Sequence, residues 1–149
     1  MTSVFNPEPG VIRWRAHLRA PPERIYDLVA TDVGRSRFWV AKTEERGDSI
    51  HWTFSPEFSG SMKIYEKSRP MKFAFEFLDD SKVVFDIEPD GTGGTDLTMT
   101  NSGLPERDIQ DMTPGWVGIL MNLEAVADHS VDLRHRDPNR SWEKGYIEP

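Results

Sequence analysis

Residues 11–18 alternate strictly. Ile12, Trp14, Ala16 and Leu18 fall on one face and Arg13, Arg15 and His17 on the other, the period of a half-buried strand. The period then changes. Ala20-Pro21-Pro22-Glu23 opens a short helical stretch carrying Ile25, Leu28 and Val29, and Asp32 is placed to cap a second short helix over residues 33–39. Five alternating segments follow, centred on Trp52, Ile64, Phe75, Phe85 and Met99, with a weaker strand signal over 41–45. Arg46-Gly47-Asp48, Arg69-Pro70, Asp79-Asp80-Ser81 and the run from Asp90 to Gly94 supply the turns between them. The period returns to helical over 113–133. Trp116, Ile119, Leu120, Leu123, Val126, Ala127 and Val131 make one stripe, with Thr113 as the expected N-cap and Pro114 at the first helical position.

Connections this short favour antiparallel neighbours. The pattern therefore predicts an α+β fold. Two short helices follow the first strand, and a curved antiparallel sheet of about six to seven strands grips a long C-terminal helix. The face turned to that helix is unusually rich in large rings. Bulky rings hold a helix off a curved sheet, so a void of about 300 Å³ or more is expected between the layers, suited to a small apolar molecule. Its expected lining is Trp39, Trp52, Phe54, Met62, Phe75, Phe85, Met99, Trp116, Leu120 and Leu123. Two polar residues, Glu66 and Asn101, are in phase with this apolar face; whether they point inward or into water is left open by the pattern.

Composition narrows the function classes. A chain of 149 residues is most simply one domain. The net charge of −7 argues against nucleic-acid binding. No apolar run is long enough for a membrane span. The absence of cysteine excludes disulfides and thiolate chemistry and fits a cytoplasmic protein. His17, His51, His129 and His135 are scattered without metal-ligand spacing, so neither a metal nor a cofactor is expected. The Gly91-Thr92-Gly93-Gly94 run joins two strands rather than opening a helix, which makes it a hairpin turn and not a phosphate cradle. No catalytic motif is present. Glu57, Glu66 and His51 are the acids and bases that an enzyme reading would need to find facing inward.

Ala20-Pro21-Pro22-Glu23-Arg24-Ile25-Tyr26, followed by Arg37-Phe38-Trp39, resembles the opening of the START-like, or helix-grip, superfamily. Residues 94–105, with Asn101 where many members have histidine, and Gly115-Trp116 with Leu120 and Leu123 resemble the branch related to the activator of the heat-shock chaperone ATPase. The resemblance runs over about 11–133, leaving 1–10 as a lead-in and 134–149 as a tail. It implies binding of a lipid, sterol, polyketide or other apolar ligand in a cavity between sheet and helix. The alternatives it carries are a cyclase, dehydratase or hydrolase in that cavity, or a chaperone co-regulator. The tail joins Arg134, Arg136 and Arg140 to Trp142, Tyr146 and Ile147. It is expected to fold back over the outer sheet surface; docking on a second subunit or a chaperone is the alternative.

Overall fold

A computed structural model describes residues 8–147. The expected lead-in therefore falls largely outside the described residues. Strand β1 (Ile12–Leu18) is followed by helices α1 (Pro22–Ala30) and α2 (Asp32–Phe38). Strands β2 (Lys42–Arg46), β3 (Ser49–Ser55), β4 (Phe58–Ser68), β5 (Lys72–Phe77), β6 (Ser81–Pro89) and β7 (Thr95–Ser102) precede helix α3 (Glu106–His129). The strands form one antiparallel sheet in the order β1-β7-β6-β5-β4-β3-β2. Each consecutive pair from β2 to β7 is a hairpin, and β1 closes against β7 with Trp14 opposite Met99. The helices cover one face, where Leu18, Trp52, Phe75, Phe85 and Met99 meet Leu28, Phe38, Trp116 and Leu123 in a single core. This is the predicted α+β plan.

Three expectations change in detail. Helix α3 begins at Glu106 rather than near Thr113, so Pro114 lies inside it. Proline removes one N–H from the helical ladder but leaves its neighbours free to bond. Here the Thr113 hydroxyl donates to the Ile109 carbonyl, and the Thr113 carbonyl accepts from the Trp14 indole at 3.3 Å. The helix stops at His129, because Ser130 adopts a left-handed conformation and returns its N–H to the last turn. Val131 is thus beyond the helix and exposed rather than part of its stripe. Second, α2 is capped by Thr31, whose hydroxyl accepts from Gly34 N–H at 3.0 Å, and not by Asp32. Third, a register shift between Ile64 and Glu66 breaks the alternation of β4. It leaves Tyr65 and Glu66 both exposed.

Gly34 sets how closely α1 and α2 cross. A Cβ there would lie 2.2 Å from the Asp27 carbonyl oxygen and 2.5 Å from the Leu28 Cα, both backbone atoms. Only a residue without a side chain admits that approach.

Candidate functional site

Eight of the ten residues expected to line the pocket converge between sheet and helix; Phe54 and Met62 sit at the half-buried margin with Ile64. Strand alternation on β3, β5, β6 and β7 aims Trp52, Phe75, Phe85 and Met99 at α3, which answers with Trp116, Leu120 and Leu123. As the chain stands, these side chains fill the space themselves. Trp39 is the centre of the filling. Its ring centroid lies 5.0 Å from Trp52, 5.4 Å from Trp116 and 5.7 Å from Phe77. Phe75 and Phe85 are each 6.0 Å away, and neighbouring Phe38 is 5.9 Å away. Edge-on and tilted contacts of this kind are the favoured geometry for aromatic pairs.

Trp39 differs from the rings around it in one respect. It is the α2 C-cap, on the connection to β2, whereas its partners stand on strands or helices. It is 7% exposed, so the plug reaches the surface. A second path of rings leads outward along β3 and β4. Trp52 stacks on Phe54 with centroids 5.7 Å apart, Phe54 meets Phe58 at 5.0 Å, and Phe58 is half exposed.

The polar residues of this interior were only partly foreseen. Asn101 faces inward and is fully buried. Its Nδ2 donates to Ser81 Oγ at 3.0 Å and the Lys82 carbonyl at 3.1 Å, while its Oδ1 accepts from Trp116 Nε1 at 3.1 Å. Glu66 faces water and accepts from Ser68. Glu57 is exposed, and His51 turns to Ser61 on β4 at 3.1 Å. None of the three reaches the rings as a proton donor or acceptor. Arg35 is the residue that sequence reasoning passed over. It is completely buried, lies 5.6 Å from the Trp52 ring and 5.7 Å from Phe73, and donates to Thr43 Oγ1, the Val29 carbonyl and Asp32 Oδ1. Burial pushes its pKa down and Asp32 pulls it up, with burial winning. A guanidinium over aromatic faces keeps part of its stabilisation out of water. Its only sequence signal was Asp32 one turn earlier.

Two open clefts, of about 480 and 440 Å³, lie along α1–α2 and beside the end of α3. Neither is lined by any of the ten residues. Among the described residues, no group of three or more His, Asp or Glu is placed to hold a metal ion, and no described helix is long and apolar enough to cross a membrane.

The first residues of the tail seat against α2 rather than over the outer sheet. Asn122 is buried on the side of α3 that meets α2, where its amide donates to the Phe38 carbonyl and Asp132 and its oxygen accepts from Leu133 N–H at 2.7 Å. Arg134 then reaches the Ser36 carbonyl at 2.7 Å and pairs with Asp132. Beyond Arg136, the hydrogen bonds found among the described residues are local, and Trp142, Tyr146 and Ile147 are exposed.

An open antiparallel sheet closed on a long C-terminal helix, with two short helices after the first strand, defines a START-like helix-grip protein. The chain belongs to the family described as "Activator of Hsp90 ATPase homolog 1-like protein", which matches residues 19–128. Solved structures agree on the fold. A protein of Staphylococcus saprophyticus superposes with a TM-score of 0.72 at 19% identity, over 83% of this chain and 96% of that one. The Aha1 dimer from Colwellia psychrerythraea gives 0.71 at 18% identity, over 80% and 96%. DynU16, from the dynemicin biosynthetic locus, gives 0.67 at 17% identity, over 80% of this chain and 47% of that one. No curated protein sequence matches this one significantly.

Proposed function

We propose that the protein binds a small apolar molecule between sheet and helix, in space that Trp39 occupies when no ligand is present. One observation carries this reading: the most connected ring of the interior stands on a connecting segment, where it can swing away without unmaking a strand or helix. A ligand that replaces an indole gains much the same dispersion and burial as the indole loses, so exchange need not cost much. The family match and the DynU16 likeness are compatible with a ligand carrier but name no ligand. With Glu57, Glu66 and His51 turned away from the rings, binding is favoured over turnover. The cysteine-free sequence supports work in the cytoplasm.

A thermal-unfolding screen tests the reading with fatty acids, sterols and polycyclic aromatics. A compound present at ~100 times its dissociation constant adds ~2.7 kcal/mol, which is about 5–10 °C for a domain of this size. The Trp39→Ala variant should lose about 3–5 kcal/mol of stability and bind the same compound more tightly, since no ring has to be displaced. A wild type indifferent to every apolar compound contradicts the reading.

A further inference from the structure

Two indoles of the interior donate to acceptors. Trp116 Nε1 donates to Asn101 Oδ1 and Trp14 Nε1 to the Thr113 carbonyl. Trp52 does not. Its side chain is fully buried, yet its Nε1 has no hydrogen-bond partner among the described residues. The rings packed on it, Trp39 at 5.0 Å, Phe54 at 5.7 Å and Phe75 and Phe77 at 5.5 Å, offer no acceptor oxygen. The Arg35 guanidinium close to its ring is a cation whose donors already serve Thr43, Val29 and Asp32. A buried donor is normally paired, and leaving one unpaired is costly.

We propose that Trp52 Nε1 is the specificity-determining donor for the ligand: it selects flat apolar molecules that carry an acceptor oxygen, of the aromatic-ketone class, over hydrocarbons of the same shape. The inference rests on the ligand-binding reading above. In this proposal the ligand takes the place of the Trp39 ring, which packs 5.0 Å from the Trp52 ring, and its oxygen accepts from the unpaired N–H. The Arg35 charge, 5.6 Å from the Trp52 ring centroid, favours an electron-rich group beside that ring. A site that already holds a committed polar group discriminates more sharply than one lined by carbon alone, because the wrong ligand leaves that group unpaired.

Fluorene and 9-fluorenone are the probes, since they differ only in one carbonyl. Calorimetric affinities are measured for both on wild type and on Trp52→Phe, which keeps an aromatic ring and removes the donor. The expected result is that the substitution weakens fluorenone about tenfold and leaves fluorene within about twofold. Equal loss for both compounds overturns the inference and spares the ligand-binding reading. Failure of fluorenone to bind wild type overturns the inference, and the ligand-binding reading falls with it only if every compound of the thermal-unfolding screen fails as well. A second measurement needs no variant: the carbonyl stretching band of fluorenone bound to wild type should move to lower frequency than in cyclohexane. A band at the cyclohexane position overturns the inference even if Trp52→Phe fails to fold.

Discussion

Asn101 ties three elements with one side chain. It joins β7 to β6 through Ser81 and Lys82 and holds the Trp116 indole of α3. Asn101→Ala leaves that indole, a hydroxyl and a carbonyl in competition for partners in an apolar interior. A stability loss of about 2–4 kcal/mol in urea unfolding is expected, with Trp116 fluorescence altered before unfolding. A loss under about 0.5 kcal/mol would mean that the interior admits water at this point. The sequence put Asn101 in phase with the inner face and left open whether it points inward or into water. It could not do the same for Arg35, because the partners of that guanidinium come from α1, α2 and β2, brought together only by the tertiary fold.

At the scale of elements, periodicity located all seven strands, although it could not show the bulge that breaks the alternation of β4 after Ile64. It misplaced the start of α3, because Thr-Pro reads as an N-terminus and nothing local marks proline as tolerated inside a helix. The tail was read as lying over the sheet, and its true seat against α2 depends on the buried Asn122. That seat has a pH signature. Burial alone would raise the Asp132 carboxyl, but hydrogen bonds from Arg134 and Asn122 outweigh it and hold the group well below its ordinary 3.8. A depressed folded-state pKa stabilises the fold above the unfolded value, and that contribution is lost as pH falls through the folded one. Asp132→Asn should therefore cost about 1 kcal/mol at pH 7, discounted for a half-buried pair. The gap to wild type should close as the pH drops below about 4. A gap independent of pH would show that the carboxylate charge does not hold the tail.

The whole molecule is a helix-grip fold whose interior is filled by its own rings, with the central ring on a connecting segment. The sequence showed the number of rings and the elements that carry them. It put Trp39 at the end of a short helix and among the expected lining, but not at the centre of the filling, because that depends on where the tertiary fold seats the end of α2. Whether the rings are a permanent core or a closed pocket is the central issue, and the five tryptophans report on it directly. With 5-fluorotryptophan incorporated, fluorine NMR during a fluorenone titration should show saturable shifts of the Trp39, Trp52 and Trp116 signals. Trp142, exposed on the tail, should stay in place. Core signals that do not move at any ligand concentration, or shifts confined to Trp142, would contradict the account.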